Sequence, residues 1–150
     1  MQTIADAHNA LKAQIGAGSA FHLDKSERTV TAADAADLAT SLVLANDIKA
    51  IYEFHLADTL AHKAADAAPA LTKATDLASA ETLANAIKAD YNTHRASTTY
   101  HYNADATNAV ASADATDQAS LNTLLNEMKG DLNAHLASGP SAASLRAVDG

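Results

Sequence analysis

Cysteine and tryptophan are absent from this 150-residue chain, which also has only 5 glycines, 2 prolines and 4% aromatic residues. The absence of cysteine excludes disulfides and thiolate chemistry. The few glycines leave little material for a phosphate-binding loop, and there is no Gly-x-Ser-x-Gly nucleophile motif. The sequence therefore lacks the motifs of nucleophilic and phosphate chemistry, and we expect a protein that is not an enzyme.

Basic residues are also scarce, with 10 Lys and Arg against 18 Asp and Glu and a net charge of -8. Because clustered basic residues supply most nucleic-acid affinity by neutralising phosphates, we expect no nucleic-acid partner. No run of about 18 apolar residues is present, which predicts that no segment spans a membrane. Asp6, His8 and Lys12 make the N-terminal residues unlike a secretory signal, so we expect cytoplasmic synthesis.

An internal repeat is the most informative feature that the sequence does contain. Its frame is Asp, nine residues to Asn, three to Lys, three to Tyr or Leu and three to His, and it occurs at 37–55, 76–94 and 117–135. A fainter fourth copy opens the chain at 9–12, with Gly18 in place of the histidine. A match of this length across three copies indicates duplication.

Within each copy, apolar residues recur at helical spacing, which predicts one buried helix face. The predicted helices span roughly 3–16, 32–57, 73–96 and 114–137. Thr31 is the expected N-cap of the second of these helices, with Asp34 in its acidic first turn, and Ser112 or Asp114 has the same part in the last.

The expected fold is all-α: a helical bundle of about three long repeat helices plus a shorter N-terminal helix, joined by long histidine-containing loops. We predict one domain over 1–137 followed by a C-terminal tail over 138–150. The expected repeats within the domain are approximately 1–30, 31–70, 71–111 and 112–137. The connections of about fifteen residues are long enough for parallel helices or for alternating ones, and the sequence leaves both open.

Six of the 7 histidines occupy repeat-equivalent positions. They are His55, His94 and His135 at helix ends, and His22, His62 and His101 in loops. One interpretation is that they cap helix ends and pack beside aromatic neighbours. The other is a divalent metal site or pH sensor, since imidazole is the commonest metal ligand. Parallel helices would bring the three helix-end histidines together, whereas alternating helices would separate His94 from the other two.

Other repeat-equivalent residues are candidates for packing or interfaces. They are Asn46, Asn85, Asn126, Tyr52, Tyr91, Tyr100 and Tyr102. Buried asparagine can fix the register of neighbouring helices, although solvated flanks are an equal alternative here. The two tyrosines on the apolar stripe are expected in the core. Each full connection also carries an Ala-Asp pair after its histidine, at 65–66 and 104–105.

The repeat includes the sequence Leu-Ala-Asn-x-Ile-Lys-Ala-x-Tyr-x-x-His, followed by Ala-Ser-Thr-Thr-Tyr-His and Asn-Ala-Val-x-x-Ala-Asp-Ala-Thr-Asp. This sequence resembles alanine-rich tandem repeats in proteins of tailed bacteriophages. The resemblance covers nearly the whole chain from Thr31 to Ala137. These repeats generally have no assigned function, so the resemblance implies a context rather than a mechanism. It implies a virion component that is synthesised in the host cytoplasm: a head decoration, a connector or a tail-associated protein.

Three functions of different class follow. The first is a non-enzymatic structural protein that assembles in many copies through helical packing, with itself and other virion proteins as partners, because alanine-rich helices offer only shallow apolar stripes. The alternative is a small histidine-rich metal-binding protein. An adaptor that binds a partner's helix through a repeat face is a third possibility, which exposed Leu or Tyr residues would indicate.

Overall fold

The computed structural model describes residues 22, 28–59 and 61–138 of the chain. Within these residues it contains three helices and no strand: α1 (Leu38–Leu56), α2 (Leu77–Ala96) and α3 (Gln118–Leu136). The all-α class is therefore confirmed. The predicted helix at 3–16 and the predicted tail after residue 138 lie outside the described residues. No described helix is long and apolar enough to cross a membrane.

Each helix begins at the aspartate of the repeat frame. Asp37 caps α1 by accepting a hydrogen bond from the backbone N–H of Thr40, whose hydroxyl accepts from the backbone N–H of Asp37. Asp76 with Ser79 and Asp117 with Ser120 form the same capping box. This reciprocal pairing satisfies N–H groups that have no partner within the helix.

The N-caps predicted at Thr31 and at Ser112 or Asp114 are therefore wrong, and the helices begin four to six residues later than expected. The reason is that an asparagine of a neighbouring helix binds the backbone just before each capping box. Its amide accepts from the N–H of one alanine and donates to the same alanine's carbonyl. The pairs are Asn46 with Ala74, Asn85 with Ala115 and Asn126 with Ala35. These backbone groups are thus engaged outside the helix ladder.

The three helices are parallel, which the sequence left open. Near the start of α1, the hydroxyl of Ser41 donates to Asn122 at 2.7 Å and accepts from Gln118 at 2.8 Å, both in the first turns of α3. At the opposite end, the Nε2 atoms of His55 in α1 and His94 in α2 lie 3.2 Å apart. Each connection therefore returns along the bundle, which explains its length.

Apolar residues of all three helices form one core along the bundle axis. Leu44 and Ile48 of α1 are fully buried, as are Leu121, Leu124 and Leu125 of α3. Burial of each such side chain stabilises the fold by about 1.5–3 kcal/mol. The core continues to the C-terminal end of the bundle, where histidines replace aliphatic residues.

Tyr52 and Tyr91 lie in this core, one helical turn before the histidines of α1 and α2. The hydroxyl of Tyr52 donates to Asp90 at 2.6 Å, and that of Tyr91 lies 2.8 Å from the carbonyl oxygen of Asn108. Both polar tips are thus satisfied, as burial of a tyrosine requires. The corresponding residue of α3, Leu132, has no hydroxyl to satisfy.

Candidate metal centre

The structure brings all six repeat-equivalent histidines together at the C-terminal end of the bundle. None is more than 2% exposed. Three come from the last turns of the helices, two from the connections and one from the segment before α1. They are His55, His94, His135, His62, His101 and His22. Parallel helices cause this convergence, because they place the three helix ends side by side.

His22 occupies the place that the third repeat leaves vacant. His62 and His101 each follow a helix-end histidine by seven residues, whereas the residue seven beyond His135 is an alanine. The Nδ1 atom of His22 lies 2.8 Å from the carbonyl oxygen of Ser138, and that of His101 lies 3.1 Å from the carbonyl oxygen of Ser97. Ser97 and Ser138 both lie three residues after a helix-end histidine. The two contacts are equivalent, so the first segment of the chain completes the last repeat.

Two helix-end histidines have carboxylate partners. The Nδ1 atoms of His94 and His135 each lie 2.9 Å from a carboxylate oxygen, of Asp66 and Asp105 respectively. Asp105 is fully buried and the side chain of Asp66 is 16% exposed. These two histidines thus face carboxylates and not the terminal helix carbonyls that a capping role requires.

Those partners determine the tautomers. A carbonyl or carboxylate oxygen can only accept a hydrogen bond, so the Nδ1 of His22, His94, His101 and His135 carries the proton and donates it. The Nε2 atom of each neutral ring is then left with a lone pair. The Nε2 atoms of His22 and His101 are buried without a hydrogen-bond partner.

These Nε2 atoms point toward one another. The Nε2 of His55 lies 3.2 Å from that of His62 and 3.2 Å from that of His94. Ligand nitrogens fall into two groups of four, within each of which all atoms lie within 4.8 Å of one another. The groups are His22, His55, His101, His135 and His55, His62, His94, His101. A proton on the Nε2 of His55 would satisfy only one of its contacts with His62 and His94, so the remaining buried lone pairs repel one another unless a cation lies between them.

Burial also keeps these rings neutral. Burial and, to a lesser extent, the neighbouring histidines lower the pKa of His22 to about 3 and that of His62 to about 4. The pKa values of His55, His94, His101 and His135 are lowered by the same cause. Neutral imidazole is the form that binds metals, so the centre is ready to coordinate an ion at neutral pH.

A second layer of hydrogen bonds positions the two carboxylates. Burial alone would raise the pKa of Asp105, but hydrogen bonds from His135, Asn108 and Thr107 outweigh it and hold that pKa well below its usual range. Asp66 receives a hydrogen bond from Tyr100, which raises the pKa of this phenol. Carboxylates that orient ligand histidines in this way are typical of metal sites.

Sequence reasoning did not assign a role to Asp66 or Asp105. The available signal was their position, since each lies four residues after the histidine of its connection. Of the remaining predicted residues, Tyr100 contacts the centre, because its ring stacks on His94 at 5.9 Å. Tyr102 lies under the ammonium of Lys63 at 5.4 Å. The asparagines lie nine residues before the helix-end histidines and bind backbone instead.

Comparison of the chain with protein-family models, with curated proteins and with solved structures found no match.

Proposed function

We propose that this is a small metal-binding protein that holds a transition-metal ion in its buried histidine centre, where the ion has a structural role. The observation that carries the proposal is the convergence of six buried imidazoles whose ring nitrogens lie within 4.8 Å of one another in groups of four. Imidazole nitrogen suits zinc, copper, iron and nickel, whereas calcium and magnesium prefer oxygen ligands.

The surroundings of the centre favour a structural ion over a catalytic one. Catalytic metal sites keep a coordination position open to water or substrate. Here every ligand ring is at most 2% exposed. A groove of about 440 Å³ lies elsewhere, between the segment at Leu71 and the α2 residues Thr82 and Ala86. Among the described residues, the burial of all six rings leaves no ligand ring open to a substrate.

An ion at this position would couple to folding. Its ligands come from all three helices, from both connections and from the segment that contains His22. Since the unfolded chain has no such preformed site, the free energy of binding adds to the free energy of folding. The ion would compensate for the shallow packing that alanine-rich helices provide.

Self-association is a second candidate property. Val43 and Phe54 lie on one outward face of α1, three turns apart, and are 62% and 39% exposed. Exposed apolar side chains on one face favour contacts between copies. Placement of the protein in a virion, with other virion proteins as partners, rests on the resemblance of the repeat sequence to phage repeats and stays a prediction.

Native mass spectrometry of protein expressed with supplemented transition metals tests the proposal, because one spectrum reports bound metal and copy number. We expect a stoichiometric amount of bound metal that a strong chelator removes. The His94→Ala substitution should weaken metal binding. His8→Ala is the matched control, since His8 is the histidine outside the repeat positions. Failure of the folded protein to bind any of Fe²⁺, Co²⁺, Ni²⁺, Cu²⁺ or Zn²⁺ in titration would refute the proposal.

A further inference from the structure

The six imidazole rings lie at the corners of an octahedron. The helix-end histidines form one triangular layer, and the remaining three form the other. Rings that are neighbours in such an arrangement meet edge to face, with interplanar angles of 66–90° and centroids 4.4–5.9 Å apart. This arrangement follows from the threefold repeat, because each repeat supplies one helix-end ring and the second layer takes one ring from each of two connections and its third from His22.

The distances between the layers repeat closely around the axis. Each helix-end ring has two close neighbours in the other layer. The nearer pairs are His55–His62, His94–His101 and His135–His22, at 4.4, 4.4 and 4.5 Å. The farther pairs are His55–His22, His94–His62 and His135–His101, at 4.9, 5.1 and 4.9 Å. All three repeats thus aim their rings at one common point.

The pair of rings on opposite sides of the centre, His55 and His101, has a different geometry. The rings of His55 and His101 are 6.3 Å apart and nearly parallel, at 21°. Parallel rings at the longer distance are expected for ligands on opposite sides of one ion. The repeat relates this pair to His94 with His22 and to His135 with His62.

Two separate tetrahedral ions do not fit this arrangement. Both groups of four ligand atoms contain the opposite pair His55 and His101, and a tetrahedron has no opposite corners. If both groups were occupied, these two rings would have to bridge two ions through both nitrogens. The Nδ1 of His101 instead faces the carbonyl oxygen of Ser97 at 3.1 Å. The two groups are therefore overlapping parts of one six-ligand site.

The charges indicate a divalent ion. Six neutral imidazoles leave the charge of the ion uncompensated, and an uncompensated buried charge is costly. Two carboxylates, Asp66 and Asp105, accept hydrogen bonds from the ligands His94 and His135. One divalent cation together with these two carboxylates is electrically neutral.

Building on the proposed metal-binding function, we propose that the centre binds one six-coordinate divalent ion and thereby selects Fe²⁺, Co²⁺ or Ni²⁺ over Zn²⁺. Zn²⁺ has no geometric preference from its d electrons and is almost always four-coordinate in structural sites. Fe²⁺, Co²⁺ and Ni²⁺ gain ligand-field stabilisation from six nitrogen ligands. Cu²⁺ favours tetragonal sites, which six rings at similar distances do not provide. By the general order of affinities, Ni²⁺ is expected to bind most tightly of the three selected ions.

The first test is the visible spectrum of the metal-free protein titrated with Co²⁺, followed by competition between Ni²⁺ and Zn²⁺. Octahedral Co²⁺ gives weak absorption bands and tetrahedral Co²⁺ gives intense ones. We expect weak bands, a stoichiometry of one ion per chain, and Ni²⁺ that displaces Zn²⁺. Intense bands, two ions per chain or a preference for Zn²⁺ would overturn the six-coordinate site and leave metal binding intact. Absence of any binding would overturn both.

The second test compares single substitutions. In a six-coordinate site, His22→Ala and His62→Ala each remove one ligand. Each should therefore weaken Co²⁺ binding at least as much as loss of a carboxylate behind a ligand histidine, which costs about 10- to 100-fold. In a four-coordinate site, one of these two changes would leave the affinity unchanged, and that result in a folded variant would overturn the proposal. His8→Ala is again the control. X-ray absorption of the Ni²⁺-loaded wild-type protein counts the imidazole ligands directly and does not depend on variants that fold.

Discussion

The histidine centre keeps the threefold repeat closely, whereas the contacts on the outside of the bundle do not. At the centre, the three corresponding pairs of neighbouring rings lie 4.4, 4.4 and 4.5 Å apart. Outside, α2 and α3 each have a second asparagine whose amide pairs with the backbone of a valine before the next helix start. These pairs are Asn92 with Val110 and Asn133 with Val30.

At α1 the corresponding residues are Glu53 and Pro69. Proline has no backbone N–H, so an asparagine opposite Pro69 would lack its donor. Glu53 instead binds Lys49 on its own helix at 2.8 Å. The first repeat thus lacks both the backbone N–H, because of Pro69, and the asparagine, which is replaced by Glu53.

The difference shows where the repeat is constrained. At the centre, each ring contacts rings of the other repeats, so a change in any repeat disturbs the others. Each outer contact involves only one pair of residues and can be replaced locally. We therefore expect changes at the centre to have larger effects than changes outside.

The largest effect is expected from acidification of the metal-free protein. Because burial lowers the pKa of the central histidines below the ordinary histidine value of about 6.5, the unfolded chain binds more protons than the folded one as the pH falls below 6.5. Stability should be full above pH 6.5 and decrease below it, by up to about 1.4 kcal/mol per pH unit for each histidine. Urea unfolding at pH 7.5 and 5.5 measures this, and equal stability at both values would contradict neutral, buried rings.

Removal of the metal should have the next largest effect. A ligand present at about 1,000 times its dissociation constant stabilises the folded state by about 4 kcal/mol. Thermal unfolding with Ni²⁺ and with a chelator compares the two states at one pH. The His94→Ala variant should lose most of the difference, and His8→Ala should retain it. An unchanged melting temperature after removal of a bound ion would argue against a structural role.

Asp105→Asn tests the layer of hydrogen bonds behind the ligands. The substituted amide keeps the size of the side chain but removes the charge that orients His135 and balances the ion. Metal affinity should fall about 10- to 100-fold, as for other outer-layer partners. Asp47→Asn, which changes a carboxylate that accepts from Thr31 and Ala32 far from the centre, is the control for affinity. Competition titration measures both variants, and equal affinities would remove Asp105 from the site.

Asn126→Ala tests an asparagine contact that all three repeats share. The change leaves the N–H and the carbonyl of Ala35 without their partner, which should cost about 1–3 kcal/mol of stability. The Co²⁺ spectrum of the folded variant should not change, because residue 126 lies nine residues from His135 along the helix. Urea unfolding measures the loss of stability, and the spectrum measures any change at the metal. An altered spectrum would show that the contact between Asn126 and Ala35 also positions the metal ligands.

Lys73→Asp would restore a missing outer contact and should have the smallest effect. Lys88 pairs with Asp114 at 2.9 Å and Lys129 with Asp34 at 2.7 Å, but the corresponding partner of Lys49 is Lys73. A new exposed ion pair contributes at most about 1 kcal/mol, and Lys49 already binds Glu53. Urea unfolding at low and high salt measures the gain in stability. A gain as large as the stability lost in Asn126→Ala would contradict the expected order of effects.

Much of the local structure could be predicted from the sequence. Helical spacing located all three described helices, and their C-terminal ends lie within one residue of the predicted positions 57, 96 and 137. The starts were predicted too early, because the residues before Asp37, Asp76 and Asp117 are compatible with a helix by composition. Contacts with another helix hold them outside it.

The repeat also selected the six histidines, since equivalent positions in a duplicated sequence carry equivalent side chains. Their ligand role was one of two open interpretations. The carboxylates Asp66 and Asp105 were noticed only as a recurring pair with alanine. Their roles depend on which helix-end histidine each connection lies beside. The spacing of residues within one repeat does not determine this.

The sequence by itself determined the helices, their buried faces and the placement of a histidine at the end of each repeat, because these features depend on residues a few positions apart. Only the tertiary structure decided that the helices are parallel and that the six rings meet. The contacts responsible join residues 28 to 116 positions apart, such as Asn46 with Ala74 and His22 with Ser138. Helix direction depends on such long-range contacts, and convergence of the histidines follows from helix direction.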